Sequence, residues 1–149
     1  MNQRLGKYTI LLVEDNPDHA FLAKEGLNKS GFENLINVVE DGQEALDYLF
    51  RQGKYTDSEQ YPMPELILLD IKLPKKTGIE VLKEIKTHEE LKKIPIIMLT
   101  SSKRDEDIVD SYAYGANSYI TKPMNFNEFT KAMMDLQLYW YTVNTLPPK

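Results

Sequence analysis

At four places in this 149-residue chain, reactive polar side chains end or directly follow a short apolar run. Glu14 and Asp15 follow the first run, Asp70 the third, Thr100 with Ser101 and Ser102 the fourth, and Lys122 with Pro123 the fifth. If the runs are strands of one parallel sheet, three carboxylates, a hydroxyl and an amine converge beyond the strand ends. Carboxylates at close range cannot all stay ionised without a compensating charge. A hard divalent cation supplies that charge, and a site of few carboxylates with open water positions suits Mg²⁺. An Asp carboxylate placed there can attack phosphorus and hold the phosphoryl group as an acyl phosphate. Such transfer depends on positioning and on neutralising the equatorial oxygens, more than on acid–base catalysis. Mg²⁺ covers one oxygen, Lys122 a second and the Thr100 hydroxyl the third. Taken singly, each residue has a commoner use: strand-end Asp and Thr cap helices, and a strand-end Lys is usually a solvated charge. The coincidence at four strand ends carries the chemical reading.

The elements that must position these groups are legible in the hydrophobic pattern. Strands are expected over 8–13, 35–39, 66–69, 94–99 and 118–121; the first, third and fourth are continuously apolar, which suits parallel strands covered on both faces. Between them lie helical patterns. Asn16-Pro17 has the form of an N-cap followed by Pro at the first helical position, and Leu22, Ala23, Gly26 and Leu27 then share a face. Over 41–52, Ala45, Leu46, Leu49 and Phe50 recur at helical spacing. Thr77-Gly-Ile-Glu80 is a capping box opening a third helix with Val81, Leu82 and Ile85 inward. Over 105–114, Ile108, Val109, Tyr112 and Ala113 fall together, and from about Asn125 the residues Phe126, Phe129, Met133, Leu136 and Trp140 mark a final helix. Five strands alternating with five helices predict an α/β, flavodoxin-like doubly wound fold with strand order 2-1-3-4-5. One domain over 8–142 and a short tail over 143–149 are expected, with no repeat and no output domain. The irregular stretch 53–64 is polar and turn-rich. Pro123 is a candidate cis peptide shaping the loop after Lys122.

Composition narrows the function classes. Apolar content of 42% and charged content of 28% are ordinary for a globular domain. A net charge of −5 argues against nucleic acid as the direct partner. The absence of cysteine excludes disulfides, thiol catalysis and Cys-ligated metals and fits a reducing compartment. No apolar stretch has the length of a membrane span, and residues 1–7 do not resemble a signal peptide, so a cytoplasmic protein without membrane contact is expected.

Ile10-Leu-Leu-Val-Glu-Asp-Asn16, Leu66-Ile-Leu-Leu-Asp-Ile-Lys-Leu-Pro74, Pro95-Ile-Ile-Met-Leu-Thr100 and Tyr119-Ile-Thr-Lys-Pro123 resemble the receiver domains of two-component response regulators across nearly the whole chain. The resemblance implies a Mg²⁺-dependent switch phosphorylated by a histidine kinase rather than an enzyme with an external substrate, though one that assists its own phosphorylation and slow dephosphorylation. Asp70 would be the phosphoacceptor and a metal ligand, Asp15 a direct ligand, Glu14 a ligand acting mainly through water, and the backbone carbonyl of Lys72 a further ligand. Thr100 would be the switch hydroxyl, Tyr119 the rotameric aromatic and Lys122 the phosphate-pairing lysine; the pattern of residues alone does not single out Tyr119. The long segment before the third strand, Lys72-Leu-Pro-Lys-Lys76 and the ending Leu138-Tyr-Trp-Tyr-Thr-Val-Asn-Thr-Leu-Pro147 are most similar to the small regulators of bacterial phytochrome histidine kinases. Two departures stand out. Ser101 follows the switch Thr where many receivers have Ala or Gly, narrowing access to the phosphate, and Lys72 lies two residues after Asp70.

Other readings are weaker. A haloacid-dehalogenase phosphatase wants a second carboxylate at position 72, which is Lys72. A flavodoxin wants a Ser/Thr/Gly-rich phosphate loop where Glu14-Asp15 stand. A receiver used as an unphosphorylated scaffold would not need the complete acceptor set. His19 and His88 lack metal-ligand spacing and are expected to be exposed; Lys75-Lys76 and Lys92-Lys93 are expected to be solvated. The last helix has a second apolar flank, Met134, Leu138 and Tyr141, which predicts a homodimer formed through that helix.

Overall fold

The computed structural model describes residues 7–29, 33–100, 104–122 and 125–143. In chain order they form β1 (Lys7–Val13), α1 (Pro17–Asn28), β2 (Glu33–Val39), α2 (Gly42–Leu49), β3 (Leu66–Leu69), α3 (Gly78–Lys86), β4 (Ile96–Thr100), α4 (Asp105–Ala113), β5 (Ser118–Thr121) and α5 (Phe126–Val143). Short 3₁₀ turns at Gly53–Thr56 and Leu91–Lys93 lead into β3 and β4. All five strands are parallel, in the expected order β2-β1-β3-β4-β5.

Strand alternation divides the core in two. Leu11, Val13, Ile67, Leu69, Ile96 and Met98 face α2 and α3, where they meet Ala45, Leu46, Val81, Leu82 and Ile85. Ile10, Leu12, Leu66, Leu68, Ile97 and Leu99 face α1 and α5, meeting Ala23, Leu27, Phe129, Met133 and Leu136. Burial on both faces is what makes β1, β3 and β4 read as unbroken apolar runs. Gln137 and Asn34 exchange side-chain hydrogen bonds across this second layer, tying α5 to the start of the edge strand β2.

The starts of α1 and α3 follow their caps. Asn16 Oδ1 accepts from the N–H of Asp18 at 2.9 Å and of His19 at 3.2 Å, with Pro17 opening α1. Thr77 and Glu80 exchange the two bonds of a capping box at α3. Two expectations need correcting. The second helix stops at Leu49 rather than continuing to 52, because Arg51 takes a left-handed φ of 61° and Gln52 N–H bonds back to Asp47 O at 2.8 Å. An arginine thus occupies the αL position where glycine is usual, and its guanidinium donates to Tyr61 O. The face expected of the fourth helix is not the buried one. Val109, Tyr112 and Ala113 are exposed and Ile108 is half-buried, while Ser111 is buried and donates to Asp107 O at 2.7 Å. Helix α4 lies at the β5 edge against α3 and β5, so it has too little sheet beneath it to cover a whole apolar stripe.

Segment 53–64 is better ordered by its aromatics than its polarity suggests. Tyr48, Tyr55 and Tyr61 stack edge-on or tilted, with centroids 4.7 to 5.8 Å apart. The Tyr48 hydroxyl donates to Pro62 O at 2.7 Å and accepts from Asn37 Nδ2 at 2.9 Å. The Tyr55 hydroxyl donates to Glu44 Oε2, while Glu44 Oε1 accepts the Glu40 N–H at 3.0 Å.

Candidate functional site: the acidic pocket at the strand ends

Register brings the carboxylates together. Val13 pairs with Leu69 between adjacent strands, so the next residues, Glu14 and Asp70, stand at one level. The ladder continues through them: Glu14 N–H bonds Val39 O at 3.0 Å and Asp70 N–H bonds Val13 O at 3.2 Å. Thr100 pairs with Thr121 at the far side of the sheet, which places Lys122 one residue beyond.

One carboxylate oxygen each from Glu14, Asp15 and Asp70 lies within 4.8 Å of the others. Glu14 and Asp70 are 3% and 7% exposed, whereas Asp15 stands at the open mouth. The buried Lys122 ammonium donates to Glu14 Oε1 and to Asp70 Oδ2 at 3.1 Å. The other Asp70 oxygen accepts the Ile71 N–H at 2.7 Å and the Lys72 N–H at 3.4 Å. Burial, reinforced by the nearby Asp70 charge, raises the Glu14 carboxyl above its ordinary value; Lys122 pulls it the other way. Three carboxylates beside one ammonium leave a deficit of two positive charges when all are ionised. A divalent cation matches that deficit, and the all-oxygen donor set fits a hard ion.

The loop between β3 and α3 is braced around Asp70. Gly78 N–H bonds Ile71 O at 2.7 Å, and a Cβ at Gly78 would overlap the Asp70 carbonyl. Lys75 adopts a φ of 69°, and its ammonium lies 3.7 Å from Asp41. Gly42 N–H reaches Pro74 O at 3.2 Å, so close that a Cβ there would overlap the Lys76 carbonyl. The β2–α2 connection therefore holds the loop that carries the acidic site.

The structure thus assembles Glu14, Asp15, Asp70 and Lys122. Lys72 is exposed beside Asp70, and Tyr119 is half-buried on β5, packed against the α2/α3-side core. The Thr100 side chain, Ser101, Ser102 and Pro123 lie outside the described residues, and with them the narrowed access and the cis peptide. His19, expected to be exposed, is half-buried. It is about 38% exposed, and its Nδ1 lies 3.1 Å from Lys122 Nζ and 4.0 Å from Glu14 Oε2. Its position in the first turn of the helix that follows Glu14-Asp15 was the available signal. His88 is exposed as expected, its ring against Phe50.

Comparison with known proteins agrees with this architecture. The response regulator receiver domain model matches residues 10–134. Response regulator Rcp1 of Synechocystis sp. is 41% identical over 138 residues, covering 93% of this chain and 92% of Rcp1. The crystal structure of the Mn²⁺-bound form of Rcp1 is similar at a TM-score of 0.87 and 40% identity, over 95% of this chain and 99% of that one. The phosphorylated cyanobacterial phytochrome response regulator RcpA is similar at a TM-score of 0.90 and 39% identity, over 95% and 99% of the two chains. No helix among the described residues is long and apolar enough to cross a membrane. A buried acid–lysine cluster at the ends of a 2-1-3-4-5 sheet and a family match over most of the sequence lead to one assignment: the chain belongs to the response regulator receiver domain family.

Proposed function

We propose that the domain, taken as residues 8–142 with 143–149 as a tail, accepts a phosphoryl group on Asp70 from a histidine kinase in a Mg²⁺-dependent reaction. The observation that carries this is Lys122, whose ammonium bridges the Glu14 and Asp70 carboxylates at the strand ends. Glu14, Asp15 and Asp70, with the Lys72 carbonyl, would hold the ion, which when bound supplies positive charge to the phosphoryl oxygens. An Asp70 carboxylate oxygen attacks phosphorus, an O–P bond forms, and the P–N bond to the donor histidine breaks, its imidazole taking a proton from solvent. Backbone N–H groups of Ile71 and Lys72 hold the other carboxylate oxygen and fix the direction of attack. Lys122 exchanges carboxylate for phosphoryl oxygen, and the Thr100 hydroxyl and Tyr119 follow the new charge, changing the outer surface that partners read. A phytochrome-type kinase is the proposed donor, since the similar RcpA is a phytochrome response regulator.

Incubation with a small phosphodonor, with and without Mg²⁺, tests this by intact mass and peptide mapping. Phosphoryl addition that needs Mg²⁺ and vanishes in Asp70→Asn is expected; undiminished labelling of that variant overturns the assignment. Mg²⁺ should also raise the melting temperature, and Asp15→Asn should lose most of the rise. We propose in addition a homodimer through α5. Phe129, Met133 and Leu136 are spent on the core, and the sequence spacing gives a second apolar flank, Met134, Leu138 and Tyr141; the side chains of Leu138, Trp140 and Tyr141 lie outside the described residues. Sedimentation of wild type against Leu138→Glu with Tyr141→Glu tests it: a monomeric wild type refutes the dimer.

A further inference from the structure

An ammonium has three N–H donors and no acceptor, and among the described residues three groups lie against that of Lys122. Two are Glu14 Oε1 and Asp70 Oδ2, already part of the pocket; the third is His19 Nδ1 at 3.1 Å. Because Lys122 can only donate, this contact is a hydrogen bond when the ring nitrogen facing it accepts, with the ring proton on Nε2. We propose that His19 is a positioning residue for Lys122, fixing the orientation in which the ammonium meets the phosphoryl group. This rests on the phosphoacceptor reading above.

The geometry supports a fixed rather than incidental contact. A lysine head on a four-carbon stem, held at two points, can still turn about the line joining them; a third partner removes that freedom. His19 itself is held from two sides. Its backbone N–H is tied to the α1 cap at Asn16, and its ring meets Phe129 of α5 edge-on, with centroids 6.1 Å apart and planes at 70°. The ring thus bridges the helix following β1 and the helix following β5, whose strands lead to Glu14 and Lys122. The competing explanation is packing alone, with His19 serving as a lid on Phe129. An apolar residue of similar size would then serve as well.

The test compares His19→Leu, which keeps bulk against Phe129 but lacks an acceptor, with His19→Asn, whose Oδ1 falls near the place of Nδ1. Phosphorylation by acetyl phosphate with Mg²⁺ is followed by intact mass over a range of donor concentration. His19→Leu should lower the limiting rate about tenfold, the order of one positioned hydrogen bond, while leaving the half-saturating donor concentration unchanged. His19→Asn should recover most of that rate. In a Lys122→Ala background His19→Leu should have no further effect. A wild-type rate in His19→Leu, no recovery in His19→Asn, or an equal slowing without Lys122 overturns the proposal. Nitrogen NMR of the His19 ring reads the contact without any phosphoryl transfer: the Nε2–H tautomer is expected, and the Nδ1–H tautomer refutes it. If wild type takes no phosphoryl group while the expected tautomer is present, the phosphoacceptor reading has failed and the contact stands.

Discussion

Between β3 and α3 the backbone is fastened at nearly every turn, whereas α4, one crossover further along the sheet, turns Val109 and Tyr112 to solvent at 63% and 50% exposure. Around Asp70, two glycines sit so close to carbonyls that no side chain fits, and hydrogen bonds join two separate connections. On α4, the buried Ser111 side chain bonds to its own helix. The phenol of Tyr112 accepts the Tyr119 N–H at 3.1 Å, so a half-exposed side chain links α4 to β5. The contrast separates two demands on one sheet. The phosphoryl transfer proposed at Asp70 needs atoms held within tenths of an ångström, while an element that reports a change of charge must have alternatives of similar free energy.

The largest effect is expected where the fastening is tightest. Gly78→Ala would drive a methyl group into the Asp70 carbonyl and toward the Ile71 Cα at 2.8 Å, both backbone. It should cost about 2–4 kcal/mol in urea unfolding and abolish phosphorylation even in molecules that remain folded. Near-wild-type stability would mean that the loop is free to move. An intermediate effect is expected from Tyr55→Phe, which leaves Glu44 without its hydroxyl donor; a loss of about 1–2 kcal/mol follows. This variant also carries a pH signature. Burial, then the Glu44 bond, raises the Tyr55 hydroxyl above its ordinary pKa of 10.0. Its contribution to stability is therefore full below that value and is lost as pH rises beyond it. Tyr55→Phe should flatten the alkaline fall in stability; buried Tyr48, also raised, keeps some of it. An unchanged alkaline limb would show that Tyr55 is not held as described. The smallest effect belongs to α4. Val109→Ser should alter stability by no more than about 0.5 kcal/mol, and a loss of 2 kcal/mol or more would mean that its exposed side chain is covered in solution.

The same contrast explains what could be read from the sequence. The sheet and its order were legible because β1, β3 and β4 are buried on both faces and therefore continuously apolar. Glu14, Asp15, Asp70 and Lys122 were legible because strand ends share one edge of such a sheet. Helix α4 was misread because periodicity reports that a stripe exists, not whether anything covers it. The end of α2 was missed because Arg51 takes a backbone conformation usually announced by glycine. His19 stands one helical turn after Glu14-Asp15, which places it near the pocket, but its meeting with Lys122 across 103 residues of chain is encoded by no local spacing.

The two oxygens of Glu44 serve different parts of the chain, one bonded within segment 53–64 and the other at the backbone of Glu40, beside the mouth of the acidic pocket. That arrangement bears on how receiver domains can be recombined. A chimera that imports the long α2–β3 connection from this protein brings a phenol needing a carboxylate on the recipient's α2. One that shortens the connection here leaves a carboxylate spanning only half its reach. The segment and Glu44 thus form one exchangeable unit, to be moved between proteins together.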